Sequence, residues 1–192
     1  MKKGTYFVSG IDTNIGKSYA TGYLAKKYIS EGHKTITQKL IQTGNTGFSE
    51  DIELHRQIMG TGLFPEDYVL LTCPVILPYP ASPHLAANLQ KTAIQCESIT
   101  KATKELESQY DIVLVEGAGG LMVPITEELL TIDYIQEQKY PVILVTSGRL
   151  GSINHTLLSL EALKNRNMTL HSIVFNLSPQ TDKFIEDETI RY

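Results

Sequence analysis

Cysteine is scarce in this 192-residue chain: only Cys73 and Cys96 occur, far apart and outside any Cys-x-x-Cys spacing. That disfavours both a disulfide scaffold and a zinc site and makes a reducing, cytoplasmic compartment the expectation. Positive charge is neither abundant nor concentrated. The 17 Lys and Arg stand against 21 Asp and Glu, a formal net charge of −4, and no basic tail is present. Nucleic acid and anionic membrane are therefore not expected partners. Long apolar runs are missing too. The run after Met1-Lys2-Lys3 is broken at Gly10 and Asp12, so it reads as neither a signal peptide nor a membrane span. No internal repeat and no low-complexity tract occurs.

What is present is enough apolar content, 42%, to bury a sizeable core, and the length favours a single domain. The chain is organised around residues 5 to 18. A β-branched and aromatic run, Thr5-Tyr6-Phe7-Val8, leads into Ser9-Gly10-Ile11-Asp12-Thr13-Asn14-Ile15-Gly16-Lys17-Ser18. A strand, a glycine-bounded turn, Gly-Lys-Ser and a following helix to about Glu31 read as a phosphate-binding loop. Gly16 lets backbone N–H groups close around phosphate oxygens, Lys17 reaches the β- and γ-phosphates, and the Ser18 hydroxyl suits Mg²⁺. The helix adds its positive N-terminus. Five residues rather than the standard four separate Gly10 from Gly16.

Lys34 to Leu40 predicts a second strand and residues 42 to 47 a loop, giving a βαβ unit. Glu50 to Met59 predicts a helix with Asp51 near its start. Leu70 to Pro83 carries Pro74, Pro78, Pro80 and Pro83, which excludes a central strand and leaves a loop with one short edge strand. Helices are predicted from about Pro83-His84 and over Ile94 to Gln109. Tyr110 to Glu116 reads as a strand covered on both faces, ending in Glu116-Gly117-Ala118-Gly119-Gly120. Thr131 to Lys139, Ser152 to Asn165 and Asp182 to Tyr192 predict helices; Pro141 to Thr146 and His171 to Asn176 predict strands. Strands alternating with helices imply an α/β chain with a doubly wound, mostly parallel sheet of the P-loop NTPase type.

Four polar groups fall at candidate strand ends: Ser18, Lys39, Asp51 and Glu116. Converging, Ser18, Asp51 and Glu116 would form an oxygen-rich Mg²⁺ site completed by phosphates and water. Lys39 would face the γ-phosphate opposite Lys17, and two lysines can stabilise a phosphoryl group in transfer. Each has a plainer reading: Lys39 as a solvated strand-end lysine, Asp51 as an acid favouring the helix dipole. Glu116 is harder to set aside, since an acid directly after Ile-Val-Leu-Val costs several kcal/mol to bury uncompensated. His84 and His155 are read as structural histidines, and both cysteines as ordinary residues.

Several stretches, in order from residue 5 to about 178, resemble the dethiobiotin synthetase family. They are Gly10-Ile-Asp-Thr-Asn-Ile-Gly-Lys-Ser18 with its five-residue spacing, Gln38-Lys39 with Thr43-Gly44, and Asp51. Ser82-Pro83-His84, Val115-Glu116-Gly117-Ala118-Gly119-Gly120, Leu150-Gly151-Ser152-Ile153-Asn154-His155 and the strand-end Asn176 complete the set. The resemblance implies a ligase of biotin biosynthesis that uses ATP and Mg²⁺ to carboxylate 7,8-diaminononanoate with CO₂ (or bicarbonate) and close its ring. It implies that Asn14, Ile15, Gly16, Lys17, Ser18 and Tyr19 wrap the triphosphate, that Ser18, Asp51 and Glu116 hold Mg²⁺, and that Lys39 and Lys17 are catalytic. Glu116, Gly117, Ala118 and Gly119 would line the nucleotide and diamine site, and Asn176 would read the adenine edge. Thr43 and Ser82 would meet substrate. A homodimer would hold the substrate tail on Gly151, Ser152, Ile153 and Asn154. Against the family pattern, Asn14 replaces a frequent acid, Leu40 a usual proline and Ser18 a threonine, and family members continue past Tyr192 into a segment covering the adenine. The main alternative is a P-loop ATPase switch of the partitioning type. Such switches carry an extra lysine where this chain has Gly10, Ile11 and Asp12.

Overall fold

The computed structural model describes residues 2–178, 180 and 182–192. The opening β-branched run forms β1 (Gly4–Gly10), and the loop after it feeds α1 (Lys17–Ser30). Then come β2 (Thr35–Lys39), β3 (Gln42–Thr43), α2 (Glu50–Met59), α3 (Pro65–Tyr68), β4 (Ile76–Leu77), α4 (Pro83–Leu89) and α5 (Cys96–Gln109). The chain continues through β5 (Ile112–Gly120), α6 (Thr131–Gln138), β6 (Val142–Ser147), α7 (Ser152–Asn165), β7 (Leu170–Asn176) and α8 (Lys183–Arg191). The main sheet has the order β2-β5-β1-β6-β7, with every pairing parallel.

Alternation along each strand sends side chains to two separate cores. Tyr6, Val8, Ile112, Leu114, Ile143 and Val145 meet Ala20, Ala25 and Tyr28 of α1 and Met59 of α2. Phe7, Ile36, Val113, Val115 and Val142 face the other way, onto α4, α5, α6 and α7 through residues such as Ala86, Ile99, Leu106, Ile135 and Leu163. Both faces are therefore covered, the doubly wound arrangement expected. It also explains why β5 and β6 read as continuous apolar runs. Each fully buried large apolar side chain contributes about 1.5–3 kcal/mol.

The differences from expectation are local and have causes. β5 does not end at Glu116 but runs on through Gly120. A Cβ at Gly117 would lie 2.8 Å from the Phe7 ring, so only glycine lets the strand continue beside β1. Residues 42–43, expected as loop, pair in parallel with β4 in a two-residue ladder outside the main sheet. The Pro65 turn α3 was not anticipated from the sequence. α2 begins where predicted because Ser49 caps it, its Oγ accepting from the Ile52 amide at 3.2 Å, and it ends at Gly60, whose φ is 73°. No described helix is long and apolar enough to cross a membrane.

Candidate active site

The chain crosses from β1 to β2 on one side of the sheet and reaches β6 on the other, so the loop after β1 opens at the carboxyl ends of the strands, where such sheets bind ligands. Its shape depends on two glycines. Gly16 has φ 98°, and a Cβ there would sit 2.3 Å from Asn176 Nδ2; a Cβ on Gly10 would sit 2.5 Å from Ile15 Cγ2. The first turn of α1 carries no acid, leaving its N-terminal amides to an anion. Lys17 is 7% exposed and donates from Nζ to the Asp12 carbonyl at 3.0 Å. Burial, with the nearby Lys39 ammonium, lowers its pKa to about 8 against the opposing pull of Glu116, Asp51 and Asp12. A buried cation held in this way gains strongly from an incoming phosphate.

Strand register assembles the rest. Lys39 of β2 and Glu116 of β5 are direct partners across the parallel ladder, so their side chains leave the sheet together. Both stand toward α2, Glu116 continuing the stripe of Ile112 and Leu114. The Lys39 ammonium lies 2.7 Å from Glu116 Oε1 and 2.5 Å from Asp51 Oδ2, and donates at 3.3 Å to the Gly117 carbonyl. The Ser18 hydroxyl lies 2.6 Å from Asp51 Oδ1 and 2.9 Å from Glu116 Oε1. Desolvation works against both ions of the central pair. It is outweighed: Glu116 and Asp51 raise the Lys39 pKa, and Lys39 with His55 holds the Glu116 carboxyl far below its ordinary range. Asp51 owes its place to the capped start of α2. Ser49 also donates to Gln42 Oε1 at 2.6 Å, and the Glu50 amide donates to Asn45 Oδ1 at 3.0 Å.

Ser18, Lys39, Asp51 and Glu116 are thus brought together. Asn14, Gly16, Lys17, Tyr19, Thr43, Ala118 and Gly119 line the same cleft, of about 580 Å³. Ile15 and Gly117 present backbone instead. The Ile15 carbonyl accepts from Asn176 Nδ2 at 2.9 Å, so Asn176 buttresses the loop. Ser82, at the N-cap position of α4, does not line the cleft. Gly151, Ile153 and Asn154 border a different, apolar hollow of about 680 Å³, shared with Phe184 and Ile185 of α8. Ser152 is fully buried, its Oγ 3.2 Å from Ser147 Oγ. Within one chain the segment 151–154 therefore does not line the cleft.

Sequence reasoning passed over His55. It is fully buried in α2, with Nε2 2.7 Å from Glu116 Oε2 and Nδ1 3.0 Å from Thr37 Oγ1. The signal available was its position one helical turn after Asp51. Asp12 also carries more than loop geometry, pairing with Arg149 on the loop before α7. His84, expected as a structural histidine, leads α4. Its buried Nδ1 has no hydrogen-bond partner among the described residues. Burial pushes the Cys73 thiol up to about 12, which makes it unreactive, as expected of an ordinary core cysteine.

Among solved structures the fold is similar to a ParA family ATPase from Chlorobium tepidum (TM-score 0.56, 17% identity, all of this chain and 80% of that one). It is also similar to the kinase domain of the Escherichia coli tyrosine kinase ETK (TM-score 0.57, 14% identity, 91% and 67%). Likeness at these identities shows the fold alone. Fold and loop together define a P-loop NTPase. The model of the AAA domain family matches residues 4–191. The sequence is 52% identical to ATP-dependent dethiobiotin synthetase BioD 2 of Pasteurella multocida over 96% of this chain and 86% of that protein. It is 53% identical to the Haemophilus influenzae protein of the same name over 92% of each, and 48% identical to ATP-dependent dethiobiotin synthetase BioD of Chlorobaculum tepidum over 98% of this chain and 79% of that protein. The chain belongs to the dethiobiotin synthetase family, ATP-dependent ligases of biotin synthesis.

Proposed function

We propose that this protein carboxylates 7,8-diaminononanoate with CO₂ and closes the ureido ring at the expense of ATP and with Mg²⁺, yielding dethiobiotin, ADP and phosphate. The observation that carries the proposal is the Ser18–Lys39–Asp51–Glu116 cluster at the mouth of a phosphate loop, in a chain about half identical to named synthetases.

The residues present fit the cation. One hydroxyl proton on Ser18 faces two carboxylate oxygens, and a single ammonium faces both carboxylates, so the cluster has oxygen acceptors in excess of donors. All are hard ligands, as Mg²⁺ prefers. No group of three or more His, Cys, Asp or Glu among the described residues forms a metal site by itself, so phosphate and water would supply the remaining ligands. When bound, Mg²⁺ neutralises phosphate charge.

In this reading the backbone of residues 14–19 encloses the triphosphate, and Lys17 stabilises charge on its outer phosphates. One amine of the substrate takes up CO₂ as a carbamate, and a carbamate oxygen attacks the γ-phosphorus, releasing ADP. The neighbouring amine then attacks the activated carbonyl carbon and expels phosphate, closing the ring. Lys39 stands beside the carbamate and the transferring phosphoryl group and stabilises both. Thr43, on the cleft wall, contacts the substrate, and Asn176, behind the loop, reads the adenine edge. The active form is a homodimer in which residues 151–154 of one copy hold the tail of substrate bound to the other. That they do not line the cleft within one chain supports that arrangement.

The test is phosphate release from Mg²⁺-ATP with no addition, with diamine under CO₂-free conditions, and with diamine plus bicarbonate. Release only in the last arm, with dethiobiotin identified by mass spectrometry, is the expected result. Release indifferent to both would instead favour the partitioning-type ATPase switch.

A further inference from the structure

His55 is a buried titratable group that the reading above leaves without a task. Its neighbours order the protons around it. Arg56 Nη1 can only donate, and it does so to Thr37 Oγ1 at 2.7 Å. Glu116 Oε2, a carboxylate oxygen that can only accept, lies 2.7 Å from His55 Nε2 and so places a ring proton on Nε2, while Nδ1 lies 3.0 Å from the Thr37 hydroxyl. Arg56 cannot drift from this duty. Its Nε and Nη2 each donate to Asp67 at 2.8 Å, and Asp67 in turn accepts from the Phe64 amide and from Thr72, both at 2.7 Å. The chain Asp67–Arg56–Thr37–His55–Glu116 therefore runs from a rigid buried ion pair to the cluster at the cleft.

We propose that His55 is a positioning residue for the Mg²⁺ site, an inference that rests on the metal reading given above. A carboxylate has two equivalent oxygens and can turn about its terminal bond. By donating from Nε2, His55 occupies Glu116 Oε2 and turns Oε1 toward Ser18, Lys39 and the cleft, where Oε1 already accepts from both. Groups that orient a metal's ligands in this way affect metal affinity about 10–100-fold. A packing role would need only the volume of the ring; a positioning role needs an N–H at the Nε2 position.

The discriminating substitutions are H55Q, whose side-chain amide reaches about as far as Nε2, and H55N, whose amide reaches only about as far as Nδ1 and Thr37. Binding of the non-hydrolysable analogue AMP-PNP is measured calorimetrically in Mg²⁺ and in EDTA, and the ratio of the two dissociation constants reports the metal's contribution. The expected result is a ratio reduced about tenfold or more in H55N, EDTA affinity within about twofold of the parent protein, and a ratio largely kept in H55Q. An unchanged ratio in H55N, equal losses in both variants, or equal losses in Mg²⁺ and EDTA would overturn the proposal. Should H55N fail to fold, H55Q decides alone: a folded H55Q without the Mg²⁺ effect refutes the role, and one that keeps it sustains the role. A parent protein whose AMP-PNP affinity ignores Mg²⁺ would overturn the metal reading itself, and this inference with it.

Discussion

Two buried ionic clusters meet at Thr37, and they are built to opposite rules. The Arg56–Asp67 cluster closes on itself. One guanidinium faces one carboxylate through two 2.8 Å bonds, lies 4.7 Å from the centre of the Phe64 ring, and leaves neither ion exposed. The Lys39 cluster does not close, because one ammonium is shared by two carboxylates and all three line an open cleft. The chemical groups are similar, yet the balance differs. A matched pair with every lone pair occupied holds α2 to β2 and has nothing left to offer a ligand. A mismatched set keeps carboxylate oxygens in excess of donors at a place where a cation and phosphates can enter.

The sharpest way to break this contrast is to remove one member of each cluster and measure both activity and stability. Lys17→Ala and Glu116→Ala are each expected to lower turnover at least about a hundredfold, since in the proposed function each deletes a charge that would face the transferring phosphoryl group or its metal. Steady-state rates near those of the parent protein in both variants would refute the site assignment. Asp67→Asn is expected to do the reverse. It strands the Arg56 charge in the core and costs about 3–5 kcal/mol of stability in denaturant unfolding, while turnover of the folded fraction falls far less than in Glu116→Ala.

Acid should reveal the same cluster. Burial raises the Asp67 carboxyl, but the Arg56 guanidinium, Thr72 and the Phe64 amide outweigh it and hold its pKa below that of the unfolded chain. A depressed carboxyl adds stability that is complete above the unfolded value, about pH 4, and is lost as pH falls through the folded value. Glu116 titrates in the same direction. The Asp67 share is therefore the difference in acid slope between the parent protein and Asp67→Asn, read from denaturation midpoints at successive pH values; identical slopes would show that the pair carries no linkage. The smallest effect expected is that of Ser49→Ala, about 1 kcal/mol from the lost cap of α2, with a modest loss of nucleotide affinity as Asp51 loosens.

How far the sequence reached depended on the range of the interactions involved. The phosphate loop was readable because strand, turn glycines, lysine and helix start are neighbours in the chain, and Glu116 because an acid after four buried apolar residues demands a partner. Lys39 was open between a solvated and a functional reading; its parallel register with Glu116, set by strands 77 residues apart in sequence, placed it inside. His55 escaped notice because a histidine on the inner side of an amphipathic helix has the same pattern whether it packs or positions. The β3–β4 ladder escaped because residues 42–47 have the composition of a loop and β4 lies in the proline-rich stretch between Pro74 and Pro78.

Taken alone, the order of residues determined the fold class, the position of the phosphate loop, both faces of the sheet and the family resemblance, since all of these follow from local periodicity and short motifs. The tertiary structure decided which charges share an oxygen, which histidine turns Glu116, and that residues 151–154 do not line the cleft. Those outcomes depend on distances between strands and helices remote in sequence, and a change of register by one residue would send the same side chains to the opposite face.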